Sequence, residues 1–564
     1  MNNKDMIGRY DALHSERNNV QQLWDGIRRY IMPYRGHFFR EQNDESSIDW
    51  NQRHVYDSTA PMAHKTLSAT IHAGMSSPSI KWFDMRFRDE SLNNHNLSVK
   101  WIQEVSDRAF FELQDSNFNL QVNETYQDIC GFGTSFISLE EYEPDSKKWT
   151  GLNFSSVPLK EGVFEEDAWG RILRFYRLVK WSPQQIISKF GDLVPQSVKD
   201  KEKGNSTTKM DVLFCIYPRN NNIAAPEIRD WGKTLSPSKR TWEYRYILKS
   251  SGETLGRPGG YYEMPTFAPR WEKTSESMWG NSPASIALWD VLSLNEAREM
   301  QLRMAEKIID PPVMAEERSI ISDLDLSAGS LNVVRNVAGV LPFNSQGSWP
   351  VSAEEISQLQ ASVRNYFYVD QLQFPAPQAQ PMTATEAQIR FEQMNRLMAT
   401  AMSRIRNDML DPIVGRVVRM LARKGQLPEP PSRVVEMNAQ LEIEYMGSVS
   451  RAQRADQAAS IERVVAFAGS MAEVLPDALD SIDVNEAMNW IGRDLNVPAG
   501  IMRGEEEVEQ IQEERRAQQQ AMMTAQQAQE AGAGMEAMAE GQNAMEGTNG
   551  PQAAPTGTPP MPQQ

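Results

Sequence analysis

Asp310-Pro311-Pro312 and the uncharged run Phe374-Pro375-Ala376-Pro377-Gln378-Ala379-Gln380-Pro381 cut the stretch from Trp279 to Lys424 into three helix-like patterns. From Pro283 to Ile309 an apolar stripe of Ala287, Val291, Leu294, Ala297, Met304 and Ile308 runs beside Arg298, Glu299, Arg303, Glu306 and Lys307. Pro311-Pro312 stops that helix, because proline cannot donate to the backbone ladder. About forty residues of strand character follow, notably Leu331-Asn332-Val333-Val334 and Val340-Leu341-Pro342-Phe343, and a second helix is expected from Ala353 to about Asp370. Beyond the proline run, Thr383-Ala384-Thr385-Glu386 is a capping box that opens the longest helix, with Phe391, Met394, Met398, Ala401, Ile405 and Met409 on one face. Pro412 is expected to kink it, the pattern resumes through Ile413, Val417, Met420 and Leu421, and Gly425 fits a C-cap. Paired helices meeting at a stiff, neutral loop suit the lining of a passage better than the wall of a catalytic pocket. The loop reads equally well as a surface connector or as a segment that touches a phosphate backbone without binding it. Three prolines cut its conformational entropy, and it has no charge to hold it in bulk water.

The chain before Trp279 reads as α+β. Tyr10, Leu13, Val20, Leu23, Trp24 and Ile27 predict a helix that Pro33 stops. A second helix is expected over Asp57–Met75, ended by Ser76-Ser77-Pro78, and a strand over Trp82–Phe87. Residues 97–130 read as helix again, up to Gly131-Phe132-Gly133. Short strands such as Phe136–Leu139 and Val212–Ile216 alternate with polar turns, and Ser182-Pro183 opens one more helix. Gly256-Arg257-Pro258-Gly259-Gly260 reads as a turn leading to strand from Tyr261 to Arg270. Residues 451–503 read as a helical unit broken at Pro476 and closed at Val497-Pro498. From Glu505 the chain turns to Gln, Ala, Met and Glu, then Gly and Pro, a polar helix to about Gly532 and disorder beyond.

Composition excludes several classes. At 564 residues the chain exceeds one core and should form two to four domains, with 40% hydrophobic and 24% charged residues. No apolar run reaches the length of a spanning helix, so no membrane insertion is expected. Met1-Asn2-Asn3-Lys4-Asp5-Met6 lacks the apolar core of a signal peptide, and a cytoplasm-like compartment is expected. Cys130 and Cys215 lie in apolar contexts and are expected as two buried thiols. A net charge of −17 argues against a protein that wraps nucleic acid by neutralising phosphates, although it suits one that must not stick to DNA.

Motifs of catalysis do not emerge. No phosphate-binding Gly-x-x-x-x-Gly-Lys-Ser/Thr loop or Gly-x-Ser-x-Gly elbow is present. Gly131-Phe132-Gly133 starts a Gly-x-Gly pattern but has Phe136 at the third glycine position, so a helix C-cap is the better reading. His14, His37, His54, His64, His72 and His95 have neither metal-ligand spacing nor Cys partners, and read as surface or interdomain residues. Glu140-Glu141 and Glu165-Glu166 sit in stretches that read as solvated turns. Arg416, Arg419, Arg423 and Lys424 crowd the last turns of the long helix, either favouring its dipole or forming a basic ring that faces a polyanion. No catalytic residue, metal or cofactor is expected.

Several stretches resemble, in order, the portal or head-to-tail connector proteins of short-tailed, podovirus-type double-stranded DNA bacteriophages. They are Trp24-x-x-Ile27-x-x-Tyr30-Ile31-x-Pro33-x-Arg35 and Ala73-Gly74-Met75-Ser76-Ser77-Pro78-x-x-x-Trp82-Phe83. Next come Gly131-Phe132-Gly133-Thr134 and Gly280-Asn281-Ser282-Pro283, the latter leading through Leu294-Asn295-Glu296 to Asp310-Pro311-Pro312. Met382-Thr383-Ala384-Thr385-Glu386 and Ser450-Arg451-Ala452-Gln453-Arg454 complete the series, which spans about residues 10 to 510.

The resemblance implies an α+β, mainly helical portal fold with wing, stem, clip and crown around a central channel. The implied boundaries are a wing over 1–280, stem helices over 281–310 and 352–373, and a clip over 311–351. A tunnel loop over 374–382, a long kinked helix and return to the wing over 383–450, a crown over 451–504 and a variable tail over 505–564 follow. It implies a ring of about twelve copies that passes double-stranded DNA during packaging and ejection. Partners are the terminase large subunit, tail adaptor or nozzle proteins, and the major capsid and scaffolding proteins. The place is a capsid vertex of the virion, after assembly in the host cytoplasm. Phe374, Pro375, Pro377, Gln378, Gln380 and Pro381 would then approach DNA, Arg298, Arg303 and Lys307 would line the channel, and Pro311, Pro312, Val333 and Val334 would meet the motor or tail adaptor. Twelve copies at −17 carry roughly −200, beside a duplex with one charge per ~1.7 Å, so repulsion would keep DNA moving and a few basic rings would temper it. The alternatives are another virion structural protein or a phage DNA-processing enzyme with an unrecognised site.

Overall fold

The structure, a computed structural model, describes residues 2–35, 55–93, 95–142, 148–204, 208–219, 228–309, 313–315, 340–342, 349–372, 398–445, 459–467, 511, 514–515 and 517–524. Helix α1 spans Asn3–Tyr30 and α2 spans Thr59–Met75, both ending where the prolines and serines predicted. Strand β1 (Phe83–Phe87) and the short α3 (Glu90–Asn93) lead to α4 (Asn96–Asp115) and α5 (Phe118–Phe132). The single helix expected over 97–130 is thus two. The break falls at Ser116-Asn117 because Asn117 is committed to a neighbouring strand: its amide donates to Phe154 O and its Oδ1 accepts from Phe154 N, both at 2.8 Å. Helix α5 ends on Gly133, whose φ of 78° needs glycine, so the C-cap reading holds.

Two antiparallel sheets follow. Strands β2 (Phe136–Glu141), β3 (Leu152–Val157), β4 (Gly162–Glu166) and β5 (Ile172–Trp181) precede α6 (Pro183–Phe190) and α7 (Gln196–Lys203). After them come β6 (Met210–Pro218), β7 (Trp242–Leu248), β8 (Thr254–Tyr261), β9 (Thr266–Phe267), β10 (Glu272–Lys273) and β11 (Gly280–Asn281). One sheet runs β4-β5-β6-β7-β8, another β3-β2-β9, and β10 pairs with β11. Gly256 to Gly260 is strand β8 and not the expected turn. An edge strand tolerates the missing N–H of Pro258, and the two glycines after it leave room for the Tyr244 ring and for Pro237 O. Glu140-Glu141 and Glu165-Glu166 are likewise on strands β2 and β4, held by Tyr261, Lys424, Arg9, Arg174, Arg270 and Lys273, and are not solvated turns. Most of these partners lie far from the glutamates along the chain.

Packing joins helices and sheets around one main core that runs from Trp24 through Phe136 and Trp279 to Leu421. A smaller core sets Met6 and Tyr10 of α1 against Val163, Tyr176, Leu213, Cys215 and Ile247 of the five-stranded sheet. Cys130 and Cys215 are buried and free, as expected. His64, expected near a surface or between domains, is instead fully buried with Nε2 2.8 Å from Gln127 O, and desolvation lowers its pKa to about 4.

The long hairpin begins with α8 (Pro283–Ile309), passes through β12 (Val313–Ala315) and β13 (Val340–Pro342), which pair antiparallel, and comes back as α9 (Trp349–Tyr366) packed on α8. Helix α9 starts earlier than Ala353, since Trp349-Pro350 lies in the first turn, where proline's missing N–H costs nothing. Tyr368, at φ 58°, separates α9 from α10 (Val369–Leu372). Leu331–Val334, the proline loop 374–381, the capping box 383–386, most of 451–504 and most of the tail lie outside the described residues; 459–467 is helical.

Residues 398–405 form α11, which continues through a π turn, Arg406–Leu410, into α12 (Asp411–Arg423). The irregularity expected at Pro412 is this widened turn: Asp411 N donates to Arg406 O, one residue beyond the α-helical partner. Gln426 N then reaches Leu421 O at 3.0 Å and Gly425 N reaches Ala422 O at 3.1 Å, with Gly425 at φ 65°, a Schellman cap. Helix α13 (Ser432–Glu436) leads to β14 (Leu441–Tyr445), which pairs with β1 from Phe83–Tyr445 to Phe87–Leu441 and so joins an early and a late part of the chain.

Candidate functional site

Helix α8 is rooted where short motifs far apart in sequence meet. Gly133 and Gly280 approach so closely that a Cβ on Gly133 would stand 2.2 Å from Gly280 O. Gly280 N donates to Thr134 Oγ1 at 2.8 Å, Trp271 N donates to Gly133 O at 2.9 Å, and Ser282 Oγ donates to Gly131 O at 2.6 Å. Ser282 is also the N-terminal cap of α8: its Oγ accepts from Ser285 N at 3.0 Å while its own N donates to Ser285 Oγ at 2.9 Å. Trp24 of α1 closes the junction. Its Nε1 donates to Phe132 O at 3.0 Å and its ring meets Trp279 edge-on at 5.1 Å.

An ion cluster ties the same junction to the π turn. The buried Arg270 guanidinium bonds Glu166 and reaches Asp408 Oδ2 from Nε at 3.1 Å, while Lys273 Nζ lies 2.5 Å from Glu166. The Arg270 backbone also forms a β-bridge to Thr134, so backbone and side chain of one residue together link the α5 cap, β4 and the π turn.

The two sides of α8 differ. Ala284, Ala287, Leu288, Val291 and Leu294 are buried, and α1 and α5 cover this half. On the opposite side Ile286, Trp289 and, farther along, Met300 are exposed, Trp289 at 70%; Leu302 and Ile309, the latter at 83%, are exposed on the side that is buried earlier in the helix. Residues 286, 289, 293, 296, 300 and 303 follow helical spacing and form one continuous outer face. On α9 the exposed residues are mostly polar, including Glu354, Glu355, Gln358 and Asn365.

Of the basic residues expected on this hairpin, Arg298 is half-buried and bonds Gln301 of its own helix. Arg303 is exposed and pairs with Glu299 at 2.5 Å, which leaves its charge in water. Lys307 is on α8, but its side chain lies outside the described residues, as do Phe374, Pro375, Pro377, Gln378, Gln380, Pro381, Pro311, Pro312, Val333 and Val334.

The basic end of α12 faces inward. Arg416, Arg419 and Arg423 all pair with Glu263, at 3.1, 3.0 and 2.8 Å, and Lys424 pairs with Glu141 at 2.8 Å. This overturns the reading of the cluster as an outward basic ring: the arginines clamp α12 to the strand region after β8. Burial pushes the Glu263 carboxyl up, but Arg423 and Arg416 outweigh it and hold it below the usual range. No sequence signal near Arg416 names Glu263; the i, i+3, i+7 spacing of the three arginines only says that they share a helix face.

The sequence places the chain in a known family. The family described as bacteriophage head to tail connecting protein matches residues 3–502, and the chain belongs to it. Its members are structural connectors and not enzymes. The chain is 27% identical over 546 residues to the portal protein of Salmonella phage epsilon15, covering 94% of each. It is 26% identical over 537 residues to the probable portal protein of Bordetella phage BPP-1, covering 92% of each.

Proposed function

We propose that this chain is the portal subunit of a short-tailed phage: a non-enzymatic conduit at one capsid vertex through which double-stranded DNA enters and leaves. Within that reading, residues 1–280 form the wing, 281–310 and 352–373 the stem, 311–351 the clip, 374–382 the tunnel loop, 383–450 the long helix with its return to the wing, and 451–504 the crown. The observation that carries it is α8, rooted by one side over its first half and exposing Ile286, Trp289 and Met300 on the other, with Leu302 and Ile309 exposed farther along the rooted side. Large apolar side chains left exposed along a helix that is rooted in the body call for burial by neighbours. Repetition of one heterologous contact around an axis closes a ring. About twelve copies surround the duplex, with the polar α9 side and Arg298, Arg303 and Lys307 toward it. The clip meets the terminase large subunit and later the tail adaptor, and capsid and scaffolding proteins surround the wing and crown.

Negative-stain microscopy of the purified full chain tests the reading. Rings of about twelve subunits with a hole wide enough for a ~20 Å duplex support it, and monomers would overturn it. Replacing Arg298, Arg303 and Lys307 together by Ala in the phage should change packaged length or DNA retention. Unchanged packaging would remove them from the channel wall while leaving the ring intact.

A further inference from the structure

Helix α8 leaves apolar side chains open on two opposite sides. Leu288, Asn295, Leu302 and Ile309 recur at two-turn spacing and so share one side. The first two are buried. Leu288 lies against Gly26 of α1, where an added Cβ would stand 3.2 Å from its Cδ2, and Asn295 Oδ1 accepts from Tyr56 N at 2.8 Å. The stripe then outruns this cover: Leu302 is 47% exposed and Ile309 83%.

Ile286, Ser293 and Met300 form a second stripe at the same spacing, with Trp289 and Glu296 beside them, and all five are exposed. From Met300 to Leu302 the helix turns by about 200° and rises by about 3 Å. These two side chains therefore stand back to back at one height. The charges next to them are already engaged within the helix, Arg303 with Glu299 at 2.5 Å and Arg298 with Gln301. Both patches thus stay apolar on a chain of net charge −17.

A patch on one side alone suits a two-fold pair, in which the contact uses itself up. It would suit an unrelated partner equally well. Patches back to back suit a heterologous contact between copies, which leaves one patch free at each end until a ring closes. A cyclic ring relates its copies by rotation without a shift along the axis, so groups at equal height meet. Met300 and Leu302 fulfil both conditions, on opposite sides and at one height.

We propose that the outer side of α8 in one copy packs against the open continuation of the rooted side in the next copy, with Met300 seated on Leu302 and Ile309. This packing rests on the portal reading above, which supplies the ring and runs the hairpin along its axis. Each copy covers the part of its neighbour's helix that lies beyond the cover at Leu288 and Asn295. The seam is apolar, so it forms despite the charge that every copy carries.

Disulfide trapping in the full-length protein tests the seam, because Cys130 and Cys215 are buried and add no background. Met300→Cys and Leu302→Cys in one chain cannot close on each other, since their side chains point apart. Under mild oxidation this double variant should lose most of its monomer band to a ladder of linked copies. A second double variant, Met300→Cys with Ile309→Cys, should do so instead where the hairpin is inclined to the axis. Each single variant should stay monomeric on the same denaturing gel. If negative stain shows rings of the double variants but neither gives a ladder, this packing is overturned while the portal reading stands. Linked dimers from Met300→Cys alone would reveal a two-fold contact and overturn it as well. Absence of rings in the unsubstituted protein would overturn both.

Discussion

Pro283–Leu294 and Asn295–Ile309 are halves of one unbroken helix, α8, yet they meet opposite conditions. The first half is capped by Ser282, locked through Gly280 to Gly133, and buried along Ala284, Ala287, Leu288 and Val291. The second half keeps few buried residues, Asn295 and Gln301 among them, and shows Met300, Leu302 and Ile309 to the outside. The helix pattern is the same in both, so propensity does not separate them. Their difference lies in what the rest of the chain supplies. The root spends its contacts within the subunit, whereas the outer half has surface left over for a neighbour. Arginines repeat the contrast: Arg416 is buried on Glu263, while Arg303 rests in solvent on Glu299.

The sharpest way to break the comparison is Gly133→Val. It places a β-branched residue at φ 78° and drives a Cβ into Gly280 O, so a loss above about 4 kcal/mol and insoluble protein are expected on expression. Recovery of normally melting protein would show that the glycine contact does not root α8.

Glu263→Ala comes next. It leaves Arg416 buried without its carboxylate and should cost about 3–5 kcal/mol by denaturant melts. A loss under 1 kcal/mol would mean that water already shares the clamp.

Asp128 of α5 probes the root through pH. Burial, with Glu124 adding to it, outweighs Arg35 and pushes its carboxyl up to about 6 from 3.8. The folded state therefore holds a proton that the unfolded state gives up. The stability this contributes is full below about pH 4 and is lost as pH rises toward 6. Asp128→Asn should remove that slope, so that the wild type loses about 3 kcal/mol relative to the variant between pH 4 and 7. Parallel curves would refute the shift.

The outer half should respond least as a folded subunit. Trp289→Asp and Arg303→Ala should each change subunit stability by less than about 0.5 kcal/mol, the first because Trp289 is 70% exposed and the second because exposed ion pairs contribute little. Trp289→Asp should instead shift assembly toward monomers in sedimentation velocity. A lowered melting temperature with unchanged assembly would reverse the assignment of the face.

Much of this contrast was legible along the chain. The bounds of α8, the stops at Pro33 and Pro311, the Gly133 cap and the Gly425 cap all rest on dihedral and hydrogen-bond preferences of a few adjacent residues. They remain true in any surrounding. The split at Ser116-Asn117 was not legible, because the reason for it is Phe154. Nor was the strand at Gly256–Gly260, whose glycines are explained by Tyr244 and Pro237 from elsewhere. Glu140, Glu141, Glu165 and Glu166 looked solvated because Tyr261, Lys424, Arg9 and Arg270, which hold them, are distant in sequence.

Sequence alone determined where helices start and stop and which motifs belong together as a series. Tertiary structure alone decided that Trp24, Gly133 and Gly280 converge on one root, that three arginines close on Glu263, and that β14 joins β1. The physical reason is range. Caps and breaks are settled by bonds a few residues long. An ion pair, a glycine contact or a strand register depends on which distant surface arrives, and that is settled by burying the whole core at once.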